Sequence, residues 1–220
     1  IGASDFTLCG WVQDNSPTNS SFYFLFGKGI VGTNSGDFSI YSNANNRYLS
    51  AFIASSGGAK IINSTIASND GNWRFIYLDI NQTSKVIRFF IDNQQIGADV
   101  PYIGTFGALD NKYKFYIGAR NDSNGNVSNA SISNLSDIRI YNTLLTETQR
   151  TTLYNRGDVS GAKLNLPLNH YILHDISGNN YHPVTTSLTS ANIAYGAYGS
   201  RQSLSFGYSV WKSPGLPDIQ

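Results

Sequence analysis

Apolar residues fall along the chain in short runs, many alternating with polar positions, and Gly, Asn, Asp and Ser punctuate the intervals between them. The runs predict strands over residues 6–12, 22–26, 38–41, 48–54, 60–66, 73–80, 86–91, 113–117, 132–141, 164–168 and 203–208. Short strands of alternating pattern, a turn signal every 8 to 12 residues or so, read as an all-β sandwich, and eleven segments suffice for two sheets. Asp92-Asn93-Gln94-Gln95 reads as a hairpin loop, because Asp starts turns and Asn93 tolerates the left-handed conformation. Asp70-Gly71 and Asn124-Gly125 mark further turns.

One segment breaks the β pattern. Thr146-Glu147-Thr148-Gln149 fits a capping box, with Thr146 as N-cap, Gln149 three residues on, and Glu147 favourable near the positive helix end. Arg150 and Arg156 lie toward the other end, which Gly157 can close, so the sequence predicts one short helix over 146–155, docked by Leu153 and Tyr154.

Composition narrows the field of partners. Only 13% of residues are charged and the net charge is +1 without a basic cluster, which argues against nucleic acid and anionic membrane surfaces. No apolar run approaches the roughly 18 residues of a membrane span, so no membrane insertion is expected. The lone Cys9 excludes an intrachain disulfide and, flanked by apolar residues in a strand, reads as a packed thiol. A chain that opens at Ile1 and contains no Met is expected to be a processed product or a piece of something longer.

Several motifs, in order, resemble the laminin-G-like domains of the concanavalin A-like lectin and glucanase jelly-roll superfamily. Phe6-Thr7-Leu8-Cys9-Gly10-Trp11-Val12 is similar to the family's early strand, and Gly71-Asn72-Trp73-Arg74-Phe75-Ile76-Tyr77-Leu78 to its "G-x-W-H-H-V-A-V" strand. The run from Val86 to Asn93 and then Tyr116-Ile117-Gly118 resemble the strands that follow. The most diagnostic stretch is Ile132-Ser133-Asn134-Leu135-Ser136-Asp137-Ile138-Arg139-Ile140-Tyr141-Asn142 with the capped helix behind it, similar to the family's closing signature. The resemblance implies a two-sheet antiparallel jelly-roll sandwich with one short helix near the end of a main repeat at 1–157. Residues 158–220 contain Leu164-Asn165-Leu166-Pro167-Leu168 and Asp175-Ile176-Ser177-Gly178-Asn179-Asn180-Tyr181-His182, which resemble the family's opening strands placed after the closing one. They either complete the sandwich, by permutation or strand exchange, or start a second repeat.

The superfamily includes glucanases, yet their chemistry needs two carboxylates flanking the sugar, and the only Glu is Glu147 at a helix start. The expectation is therefore a protein that is not an enzyme. Relatives that bind calcium nominate Asp137, Asp175 and Asn179 for a structural ion, against the alternative that Asp175-Ile176-Ser177-Gly178 is a side-chain-capped turn. His170, His174 and His182 lack the helical zinc context and read as surface or packing residues. Trp11 and Trp73 fall in strands and are expected in the core, which leaves Tyr48, Tyr102, Tyr195, Tyr198 and Trp211 as rings for a ligand. Seven N-x-S/T sequons occur, at Asn19, Asn63, Asn81, Asn121, Asn126, Asn129 and Asn134, against about 4.5 expected from composition. The expected role is a recognition or adhesion module of a larger surface-exposed or virion protein, binding glycan or protein, at an extracellular surface or on a virion. The rival expectation is a structural virion component, a fibre or capsid-decoration domain whose partners are neighbouring subunits.

Overall fold

In the computed structural model the alternating pattern closes into two large antiparallel sheets, with a separate two-stranded ribbon beside them. The structure describes residues 4–15, 21–28, 37–106, 115–120, 131, 133–168 and 175–180, with the backbone of 121, 127–128, 184–185, 193–194, 203–206 and 211–212. In chain order the strands are β1 (Phe6–Asp14), β2 (Tyr23–Lys28), β3 (Phe38–Ser42), β4 (Tyr48–Ser55), β5 (Gly58–Ala67), β6 (Arg74–Asn81) and β7 (Val86–Ile91). The short β8 (Gln94–Gln95) and β9 (Val100–Pro101), then β10 (Phe115–Ile117), β11 (Arg120–Asn121) and β12 (Val127–Ser128), lead to the long β13 (Ser133–Tyr141) and helix α1 (Glu147–Tyr154). After the helix come β14 (Leu164–Leu166), β15 (Val184–Thr185), β16 (Ile193–Ala194), β17 (Ser203–Phe206) and β18 (Trp211–Lys212). All eleven expected strands are present with ends shifted by no more than two residues.

The first sheet runs β16-β17-β13-β1-β6-β7-β8, with β14 also on β13 and β9 also on β7; the second runs β15-β18-β10-β2-β3-β4-β5. Period-two alternation turns Phe6, Leu8 and Val12 of β1, Ile76, Leu78 and Ile80 of β6, and Ile87, Phe89 and Ile91 of β7 inward. They meet Leu25, Phe26, Phe38, Ile40, Leu49, Ala51 and Ile53 from the second sheet in the main core. Residues 158–220 contribute to these same sheets: Ile138, Arg139 and Ile140 of β13 face Leu166, Asn165 and Leu164, while Ser133, Asn134 and Leu135 face Phe206, Ser205 and Leu204. Leu164, Leu166 and Leu168 are buried in the main core.

The residues between the inward ones give the first sheet a second buried face. Cys9 and Trp11 of β1, Phe75 and Tyr77 of β6, Phe90 of β7 and Tyr141 of β13 pack under Leu145, Leu153, Val159 and Ala162. The helix therefore lies on the outside of this sheet. A bulge in the β1–β13 pairing aligns that face: Cys9 pairs Arg139 and Trp11 pairs Ser136, so one residue of β1 opposes two of β13. The single residue is Gly10, whose added Cβ would lie 2.4 Å from the Ile138 side chain, and the doubled pair includes Asp137 at φ +52°.

Candidate functional site

The helix begins as the sequence indicates. The Thr146 hydroxyl accepts from the Gln149 amide at 3.2 Å, and the Gln149 side chain accepts from the Thr146 N–H at 2.9 Å. Its far end differs from expectation. The helix terminates in a Schellman arrangement in which Arg156 N–H donates to the Leu153 carbonyl at 3.0 Å and Gly157 N–H to that of Thr152 at 2.8 Å. The left-handed residue of that motif is Arg156, at φ +62°, and not Gly157. Gly157 serves by its size, since a Cβ there would lie 2.6 Å from Thr152 Cγ2 and 3.0 Å from its carbonyl oxygen.

The left-handed turn swings the Arg156 side chain back over the sheet. Its guanidinium lies 3.9 Å from the centre of the Trp11 ring and 6.0 Å from that of Trp73, and Nη1 donates to Asp137 Oδ2 at 3.0 Å. Tyr154 stacks on Trp11 at 5.7 Å and 15°, with Phe75 tilted against both rings. Arg150, one turn earlier, lies 4.0 Å over the Phe90 ring and donates through Nε to Asn93 Oδ1 at 2.8 Å. Asn93 in turn donates to Thr151 Oγ1 at 3.1 Å, so the β7–β8 hairpin grips the helix. That hairpin turns on Asp92 and Asn93 alone, at φ +52° and +66°, the conformation of a type I′ turn; Gln94 and Gln95 already pair as strand.

Between the helix C-terminus, the β7–β8 turn and the chain leading into β6 lies a cleft of about 490 Å³, lined by Trp11, Asn72, Trp73, Arg74, Asp92, Tyr154, Asn155 and Arg156. This is within the range of small-molecule and sugar sites. Its polar residues form a braced set. Arg74 pairs with Asp92 at 2.8 Å and with Asp70, and Asp70 also accepts from the Asn72 backbone at 3.0 Å and its side-chain amide at 2.9 Å. Asp92 Oδ1 accepts from the Phe75 N–H at 2.9 Å. Burial alone would raise the Asp70 carboxyl, but the hydrogen bonds from Asn72 and Arg74 outweigh it and hold it below the usual range. Arg74 is raised by its bonds to Asp92 and Asp70 despite partial burial. Asn72 and Asn155 are exposed at the mouth, and Tyr154 is half-buried. The indole N–H of Trp73, a residue 6% exposed, has no hydrogen-bond acceptor among the described residues.

Trp11, in β1, and Trp73, just before β6, are buried as the sequence indicates, and they also form the wall of the cleft. Sequence reasoning missed the cleft because its parts come from segments about 60 residues apart; the Arg-Gly after the helix was its one local trace. Among the rings nominated from sequence, Tyr48 is half-buried at the start of β4, whereas Tyr102 is 4% exposed in the main core and presents no face to a ligand. Trp211 falls in β18, and Tyr195 and Tyr198 lie outside the described residues, as do His170, His174, His182 and Asn124-Gly125. Neither Tyr48 nor Tyr102 lines the cleft.

The two carboxylates nominated for calcium are engaged by protein donors. Asp175 Oδ1 accepts from the Asn165 and Ser177 N–H groups at 2.9 and 3.0 Å, and Oδ2 from the Ser177 hydroxyl at 2.8 Å. Asn179 turns its amide NH₂ to the Lys163 carbonyl at 3.1 Å, so this segment is a side-chain-capped turn tied to β14. Asp137 faces the Arg156 guanidinium, a poor neighbour for a second cation. Among the described residues no three His, Cys, Asp or Glu side chains converge where they could hold a metal ion.

Residues 1–149 match a family model described as the concanavalin A-like lectin/glucanases superfamily. Among solved structures, a protein of Bacteroides ovatus assigned to carbohydrate binding superposes over 98% of this chain and 55% of its own, at 15% identity and a TM-score of 0.58. The CBM40 domain of the Ruminococcus gnavus IT-sialidase, solved with α2,3-sialyllactose, matches 70% of this chain and 84% of its own, at 12% identity and a TM-score of 0.52. A heptameric SAP-like pentraxin from Limulus polyphemus matches 70% of each chain, at 14% identity and a TM-score of 0.50. The chain thus spans just over half the length of the Bacteroides protein. No curated protein matches its sequence. At these identities the likeness is one of fold.

Proposed function

Since the chain belongs to the concanavalin A-like lectin/glucanases superfamily, we propose that it is a non-catalytic recognition module that binds glycan in the cleft at the C-terminal end of α1. The observation that carries this reading is the cleft itself: aromatic walls from Trp11, Trp73 and Tyr154 under a mouth of Asn72, Asn155, Arg74 and Asp92. Sugars offer apolar ring faces and hydroxyls that both donate and accept, and this lining matches both. The carboxylates nearest the cleft, Asp70 and Asp92, are both tied to Arg74, so neither is poised as a general acid. The Bacteroides protein, assigned to carbohydrate binding, and the Ruminococcus domain, solved with a sialyllactose, support the reading. The closing motif through Ile140, Tyr141 and the capped helix favours a laminin-G-like module within the superfamily, working outside the cell as part of a larger surface protein. Among the described residues no helix is long and apolar enough to cross a membrane.

A glycan array probed with the whole chain and with Asn72→Trp tests this. Asn72 is an exposed turn residue, so the indole should fill the mouth without touching the core. Binding by the parent that the variant loses, with and without a calcium chelator, is the expected result. A chain that oligomerises in light scattering and binds no glycan would refute it in favour of an assembly role.

A further inference from the structure

We infer that the cleft selects uncharged sugars and discriminates against sialylated and other anionic glycans; the inference rests on the glycan-binding reading above. The argument is one of local charge. Two arginines line the cleft, and both are already neutralised: Arg74 by Asp92 and Asp70, Arg156 by Asp137. Each guanidinium that faces the cleft is thus already held by a carboxylate before a ligand arrives.

Recognition of a carboxylate or sulfate ordinarily uses an arginine whose fork is open to a bidentate pair. Here an incoming anion would have to break an existing ion pair and then sit beside the displaced aspartate. Like charges in a partly desolvated site repel strongly, and such repulsion is a common basis of specificity. Hydroxyls face no such obstacle. They can donate to the remaining lone pairs of Asp92 and accept from the side-chain amides of Asn72 and Asn155.

Titration of the whole chain with lactose, cellobiose, chitobiose and maltotriose, and in parallel with 3′-sialyllactose and a sulfated disaccharide, tests the assignment. At least one neutral sugar should bind, at least tenfold more tightly than any anionic one, and Asn72→Trp should abolish that binding. Asp92→Asn removes one negative charge and keeps a residue that tolerates the positive φ. It should raise affinity for sialyllactose relative to lactose several-fold. Equal or tighter binding of an anionic glycan, lost in Asn72→Trp, would overturn the inference and leave glycan binding standing. Neutral-sugar binding that survives Asn72→Trp would overturn the cleft as the site. No binding of any of the six sugars would overturn both readings.

Discussion

Arg156 adopts a left-handed backbone where glycine is the default, at a cost of about 1 kcal/mol. What offsets that cost is visible: the guanidinium stacks at 3.9 Å on Trp11 and pairs with an Asp137 side chain that is 11% exposed. A strained residue kept in place by contacts at a cleft is a common mark of a functional site. Arg156→Ala should lower stability by about 2–3 kcal/mol in urea, through loss of the stack on Trp11 and of the ion pair with the largely buried Asp137. Arg156→Gly relieves the backbone and should be about 1 kcal/mol less damaging, yet equally poor in glycan binding. Equal stability of the two variants would remove the strain argument. Asp79 makes a second case at this scale. Burial on the outer face of the first sheet pushes its carboxyl up to about 6, against hydrogen bonds from Thr7 and Tyr77 and the charges of Arg88 and Arg150. An acid raised in the folded state binds its proton more tightly there than in the unfolded chain. Its contribution is therefore most favourable below pH 4 and is lost as pH rises to about 6. Parent minus Asp79→Asn stability should fall by about 3 kcal/mol between pH 4 and pH 7, and a flat difference would contradict the burial.

At the level of elements, helix α1 decides whether the cleft exists, since its last residue and the cap that follows supply Tyr154, Asn155 and Arg156. Thr146→Ala removes one half of the capping box and should cost about 1 kcal/mol, with a matching loss of glycan affinity if the helix end is part of the site. Unchanged affinity in a destabilised variant would detach the helix from binding. The N-terminus of this helix was legible in sequence because a capping box is a contact between residues three apart. The C-terminus was not, because Gly157 carries the composition signal while Arg156 takes the conformation, and only tertiary contacts with Trp11 and Asp137 explain that exchange. The strands were legible for the same local reason, since alternation reports one buried face. The first sheet's second face was legible only in part: Cys9 and Trp11 read as packed residues, but Phe75 and Tyr77 sit at positions that alternation assigns to solvent, and the segment from α1 onward that covers all four lies far along the chain. Tyr102 shows the converse, a loop aromatic read as available that the core absorbs.

For the whole molecule, β14 and β17 share the edge of β13, and Leu164, Leu166 and Leu168 fill the main core. We propose that residues 158–220 complete the sandwich. A chain ending at residue 157 should then lose about 2 kcal/mol for each of those leucines and aggregate through the bared edge of β13. A stable, monomeric truncated chain would point to the second-repeat alternative instead. The central claim is narrower, that glycan is held in the cleft between α1 and the first sheet. The chain contains three tryptophans, two of which line that cleft, so the indole N–H resonances of a ¹⁵N-labelled sample form a simple reporter. Titration with a glycan found to bind should shift the Trp73 indole signal in a saturable way and leave the Asn72→Trp variant's Trp73 signal unmoved. Saturable binding that leaves the Trp73 and Trp11 signals of the parent in place would contradict the account.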